Sequence, residues 1–167
     1  MSLFLKKVQN SRWTRPSPAP WLPEHDVPAD CFVDLESKDC RLSVWTVTED
    51  RSNLERIVAA LSGTRQYVQN FDYALIGTAV VERLGIIVLQ CPGDTADREA
   101  NERWHYDLVE LTGEKLLALA RAISLRGERD RFYERDIESF LRRGINEGKL
   151  TVEGLKLKSE ARKRLGL

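Results

Sequence analysis

The stretch Gly93–Asp107, GDTADREANERWHYD, gathers Asp94, Asp97, Glu99, Glu102, His105 and Asp107, with Trp104 and Tyr106 flanking the histidine. Carboxylates and imidazole are donors that a divalent ion accepts, provided they converge within about 2.0–2.6 Å of one point. A metal-assisted hydrolase built here would hold its ion on Asp94, Asp97, Glu102 and His105, and His105 would shuttle a proton. His105 and Asp107 stand two apart in an alternating run. On a strand they share a face, where the carboxylate can orient the imidazole as an acid–base pair. The same residues equally suit a hydrated polar loop running into a strand, because the acids lie in the least apolar part of the chain. The loop is the preferred reading, since neither D-x-[DN]-x-[DN]-G nor H-E-x-x-H occurs.

Other chemistry is less well supported. A metal-dependent nuclease needs an acid followed by [DE]-x-K, and Glu36–Lys38 and Glu147–Lys149 match only that short element. Asp34 lies too close before the first, and the second falls at a helix end. A serine or cysteine nucleophile needs a nearby histidine, and the chain holds only His25 and His105. There is no G-x-S-x-G, and neither phosphate-cradling glycine motif is present. Cys31 and Cys91 flank apolar runs and read as buried small hydrophobes. No cofactor is called for.

The elements that would position such residues follow from composition and pattern. At 167 residues, 42% hydrophobic and 31% charged, the chain is globular and of single-domain size. Its net charge is zero, so no whole-surface attraction to nucleic acid or anionic lipid is expected. Residues 121–167 nevertheless carry thirteen basic and eight acidic side chains, which leaves residues 1–120 with a net charge of −5. Three cysteines without C-x-x-C spacing, and an opening that is no secretory signal, predict a reduced cytoplasmic protein. No segment is long and apolar enough to span a membrane.

Residues 1–31 read as a Pro-rich N-terminal arm, with five of the six prolines between Ser11 and Cys31. Proline lacks a ladder donor, so this stretch is expected to be extended rather than a helix interior or central strand. Trp13 and Trp21 bracket its most Pro-rich part. They either pin the arm to the body or anchor a partner, as large aromatics do at interfaces.

Residues 32–126 read as an α+β body. CFVDLE and CRLSVWTVT suggest two strands around a short SKD turn, the second alternating cleanly. A helix follows over EDRSNLERIVAALSG, with Ser52 and Glu55 as a capping box and Leu54, Ile57, Val58 and Leu61 as its stripe. Residues 73–84 fit helix or strand, GIIVLQC a buried strand ended by Pro92 and Gly93, and RWHYDLVEL a further strand. Thr112 caps a helix over GEKLLALARAISLR, where Leu116, Leu119 or Ala120, and Ile123 share a face.

Residues 127–167 read as a helical, basic C-terminal extension, separate or part of the same domain. Tyr133, Ile137, Phe140, Leu141 and Ile145 stripe one helix, which ends before Gly148. The tail is either one amphipathic helix weakened by Gly154, or a hairpin over LTVEGLKL and a helix begun by Ser159. In element order alone the second option resembles a winged-helix unit. That resemblance implies nucleic-acid contact through Arg142 and Arg143 on the recognition helix, with Lys156, Lys158, Arg162, Lys163 and Arg164 alongside. A solvated basic face is the preferred alternative.

The fold expected is thus α+β: a small, mostly antiparallel sheet in the first two thirds, packed by helices, with a helical C-terminal third. The leading functional expectation is a binding protein, an accessory, regulatory or inhibitor-like partner of another protein, with Trp13 and Trp21 as anchors. The metal-assisted hydrolase or nuclease and the nucleic-acid binder are the alternatives. Oligomeric state is not legible.

Overall fold

The computed structural model describes residues 2–14, 21–24 and 26–167. The most Pro-rich part of the arm, residues 15–20, and His25 lie outside the described residues. In chain order the elements are β1 (Leu3–Lys7), α1 (Asn10–Trp13), α2 (Cys31–Asp34), β2 (Leu42–Val47), α3 (Leu54–Gly63), β3 (Phe71–Gly77), α4 (Thr78–Arg83), β4 (Ile87–Gln90), α5 (Arg98–Trp104), β5 (His105–Val109), α6 (Gly113–Arg126), β6 (Glu128–Phe132), α7 (Glu134–Asn146) and α8 (Ser159–Leu165).

The six strands form one sheet in the order β4-β5-β2-β1-β3-β6, and every pairing is antiparallel. This is the α+β architecture expected. The sheet draws β1 from residues 1–31, β2 to β5 from residues 32–126 and β6 from residues 127–167, so all three segments contribute to one ladder.

Alternation along the strands divides the apolar side chains between two faces. On one face Leu5, Trp45, Val47, Tyr73 and Leu75 pack against α3, α7, the tail and α8 through Ile57, Val58, Ile137, Leu141, Leu155 and Leu165. On the other, Phe4, Val44, Ile76 and Leu108 pack against Trp13, Cys31, Val81, Leu119 and Ile123. The layering is helix, sheet, helix, and the middle layer is apolar on both sides.

Several local expectations hold for the reasons given. Thr112 accepts the Lys115 amide at 3.2 Å and starts α6, whose Leu119, Ala120 and Ile123 are buried. α7 buries Ile137, Phe140 and Leu141, and Gly148 past its end has φ +65°, where a side chain would be strained. The ambiguous residues 73–84 are both things: β3 runs to Gly77 and α4 begins at Thr78.

Other expectations are corrected. CFVDLE contains a single helical turn, α2, because Asp34 is drawn back onto α1. Its carboxylate accepts Gln9 N–H at 2.8 Å, Trp13 Nε1–H at 2.7 Å and Arg12 Nη1 at 2.6 Å. Residues 10–13 are likewise helical rather than extended. α3 starts at Leu54, and Ser52 bonds Asp50 instead of capping it. β4 is a sheet edge rather than a buried strand, with Ile87 48% and Leu89 45% exposed. Residues 98–104 form α5, not a loop. Asp97 caps it by accepting the Ala100 amide at 2.9 Å, and Arg98–Glu102 and Glu99–Arg103 pair one turn apart. LTVEGLKL forms no hairpin: Thr151 N–H bonds Ala96 O and Lys156 N–H bonds Gly63 O, while Gly154 and Leu155 N–H make turn bonds to Thr151 O and Val152 O.

Candidate functional site

β5 follows α5 directly, so its first residue, His105, enters the sheet with its direction fixed by the pleat. His105 pairs with Trp45 of β2, and its ring meets the indole edge-on at 5.1 Å between centroids. Asp107, two residues on, points to the same face. β4 ends at Gln90 opposite Tyr106, so Cys91 arrives beside His105. The side-chain donor atoms of Cys91, His105 and Asp107 lie within 4.8 Å of one another.

The hydrogen bonds define the tautomer of the ring. His105 Nδ1 lies 2.9 Å from the Cys91 carbonyl oxygen, which can only accept, so Nδ1 carries a proton. In the neutral ring the Nε2 lone pair is then left over, and Nε2 sits 3.8 Å from Asp107 Oδ1. That is too long for a hydrogen bond. Asp107 is itself held in place: Ser43 Oγ donates to Oδ1 at 3.0 Å, and Arg41 lies 3.7 Å from Oδ2. The ring is 7% exposed, and no hydrogen bond reaches Nε2 among the described residues.

Cys91 Sγ lies 3.5 Å from His105 Nδ1, a distance that suggests a thiolate–imidazolium nucleophile. The electrostatics oppose this. Burial, and then the neighbouring Asp107 carboxylate, push the Cys91 thiol above its ordinary value. An activated cysteine needs the opposite shift.

The structure therefore keeps His105 and Asp107 together, as their spacing implied, and adds Cys91, which pattern reasoning treated as a hydrophobe. It separates the other acids. Asp97 is fully buried and takes two bonds from Arg56, Nε to Oδ2 at 2.5 Å and Nη2 to Oδ1 at 2.8 Å. Asp94 is exposed and pairs with Lys156 at 3.2 Å, and Glu102 pairs with Arg98 at 2.9 Å. Asp94, Asp97, Glu102 and His105 thus have four different environments and share no centre. Of the two nuclease-like elements, Lys149 pairs with Glu99 at 3.7 Å, and Asp34, ahead of the other, is committed to α1.

Trp13 is buried in the core rather than available to a partner, whereas Trp21 is 67% exposed. Three of the seven candidate basic residues of the C-terminal segment pair with carboxylates of the chain, and three more donate to neutral acceptors. Arg143 pairs with Glu55, Arg164 with Glu134 at 2.7 Å and with Glu138, and Lys156 with Asp94. Arg142 donates to the Arg164 carbonyl, Arg162 to the Leu155 and Leu157 carbonyls, and Lys158 to Tyr67 Oη at 2.7 Å. Among the seven, only Lys163 makes no such bond among the described residues.

A second feature lies on the opposite face of the sheet. α4 and α6 leave between them a groove of about 330 Å³ whose apolar lining is Val80, Leu84, Ala118 and the half-exposed Leu125. Arg83, Arg121 and Arg126 line its rim. Arg121 reaches Asp26 at 3.5 Å, and Arg83 donates to its own helix at Ala79 O. Arg83 and Arg126 have no carboxylate partner among the described residues.

Among the described residues no helix is long and apolar enough to cross a membrane. No model of a known family, no curated protein and no solved structure matches this chain.

Proposed function

We propose that this is a protein-binding protein, an accessory, regulatory or inhibitor-like partner, whose groove between α4 and α6 takes an acidic amphipathic helix of another protein. The observation that carries this reading is local charge on a neutral chain: three arginines ring an apolar floor, and two of them have no carboxylate partner among the described residues. An apolar floor with a basic rim complements a helix with leucine-like residues at i, i+3, i+4 and i+7 and Asp or Glu beside them. Rim arginines speed and orient the encounter, and the floor supplies most of the affinity. The exposed Trp21 stands on the segment that touches the rim through Asp26, where it would extend the contact. Three unpaired cysteines suit a reducing cytoplasm.

The test is a peptide-display selection on the immobilised protein, counter-selected on the double variant Arg83→Glu, Arg126→Glu. Enrichment of acidic amphipathic helices supports the reading, provided they bind wild type at least about tenfold more tightly than the double variant and weaken with salt. Absence of enrichment, or enriched peptides that bind both proteins equally, refutes it.

A further inference from the structure

The geometry points to a zinc site on Cys91, His105 and Asp107, with three protein ligands and one coordination position open to water or an external donor. This inference is independent of the α4/α6 groove.

Four observations carry it. His105 and Asp107 lie on one face of β5 and Cys91 directly follows the last residue of its neighbour β4, so the strand pairing brings the three donors within 4.8 Å of one another. Around a tetrahedral zinc ion with bonds of about 2.0–2.3 Å, neighbouring ligand atoms stand roughly 3.3–3.8 Å apart. The 3.8 Å between His105 Nε2 and Asp107 Oδ1 is too long for a direct bond and lies at the upper end of that range, so a bound ion would draw the two in by a few tenths of an ångström. The His105 Nδ1–H bond to the Cys91 carbonyl is the arrangement by which a metal-binding imidazole is oriented and its Nε2 lone pair presented. His105 is more than nine-tenths buried, and its Nε2 makes no hydrogen bond among the described residues. Ser43 Oγ steadies the carboxylate by donating to the same Oδ1.

The donor set chooses the metal. One thiolate, one imidazole and one carboxylate are too soft for calcium or magnesium and match zinc. A site that closes fully around zinc uses four protein ligands. Three protein ligands leave zinc a position for a water that it acidifies. On the same face, Leu89 pairs with Asp107 and Ile87 with Val109, and both are half exposed, so the approach over β4 is open and apolar.

The experiment uses the full chain, freed of metal by a chelator and titrated with Co²⁺ and then Zn²⁺. One equivalent of Co²⁺ is expected to raise a thiolate-to-metal charge-transfer band and the intense visible bands of a four-coordinate ion. Zn²⁺ should bleach both. Cys91→Ser abolishes the charge-transfer band, Asp107→Asn keeps it but weakens affinity roughly tenfold or more, and the pair Cys31→Ser, Cys40→Ser leaves it intact. In the wild-type protein, bound zinc also protects Cys91 from iodoacetamide. Peptide mapping reads that protection without any substitution, so it tests the site even where a variant fails to fold. No band at one equivalent, a band that survives Cys91→Ser, or no protection of Cys91 overturns the site.

Discussion

Arg56 and Asp97 meet in a two-point bond, and the carboxylate has no solvent-accessible surface while the guanidinium also lies over the Trp104 ring at 5.1 Å. The pair ties α3 to the start of α5, and Asp97 also caps that helix. Asp97→Ala removes the cap and leaves Arg56 with Glu99 as its only carboxylate. The expected cost is about 3–4 kcal/mol, or roughly 10 °C in a thermal melt at this chain length. Asp97→Ser keeps the cap and loses the ion pair, so it should fall between. A loss under about 1 kcal/mol for Asp97→Ala would show that the pair is dispensable.

Acid should unfold the protein through specific carboxylates. Bonds from Arg103, and then from Arg56, hold Glu99 down at about 2 against an ordinary 4.5. Burial pushes Asp72 up, but Arg131 and the Asn10 amide outweigh it and leave it below its usual value. Both groups bind protons more readily when unfolded. Their contribution is therefore complete above the ordinary carboxylate range and is lost as pH falls. The urea midpoint should drop between about pH 4.5 and 2. Glu99→Gln and Asp72→Asn should each flatten that drop. Unchanged curves would remove these two groups from the account.

The two arm tryptophans should behave oppositely. Trp13 is buried and its Nε1–H bonds Asp34 at 2.7 Å. Trp13→Phe should cost about 2–3 kcal/mol, most of it from the lost bond to a charged acceptor. Trp21→Ala should stay within about 0.5 kcal/mol. Urea unfolding with fitted m-values separates the two, and equal effects would contradict the burial.

The thiols should label in a fixed order. Cys40 is exposed, while Cys31 is buried and pushed up to about 11 from 9.0 by burial and then by Asp34. A thiol at about 11 rather than 9.0 carries about a hundredfold less thiolate at pH 8. Iodoacetamide should therefore modify Cys40 first, Cys91 slowly and Cys31 last. Peptide mapping over time checks this, and early modification of Cys31 would mean that the α1–α2 region opens readily.

What the sequence revealed depended on how strongly each element is patterned. β2, α3, α6 and α7 carry apolar periods that only one structure satisfies, and they lie where those periods place them, α3 within a few residues. β6 reads ERDRF and has no apolar alternation. It is a strand because its charges bond across the ladder and beyond, Arg131 to Asp72 and Glu128 to Arg51, and charged edges are how sheets avoid sticking to one another. α5 had a legible signal in its two opposite-charge pairs at i, i+4, which the density of acids obscured. Of the candidate site, the His105–Asp107 spacing was visible. Cys91 was not, because its proximity depends on how β4 registers against β5, a relationship between distant residues that no local pattern encodes.

The sheet order carries a consequence for how the molecule is born. Of the six strands β1 is made first, and it occupies an interior lane flanked by β2 and β3, so residues 3–77 already contain a three-stranded nucleus. Later strands add outward, β6 beside β3 and β5 beside β2. After β1, only β4 emerges before every strand it pairs with, and it must wait for β5. The rim where Cys91 meets His105 is thus assembled onto a scaffold that is already standing.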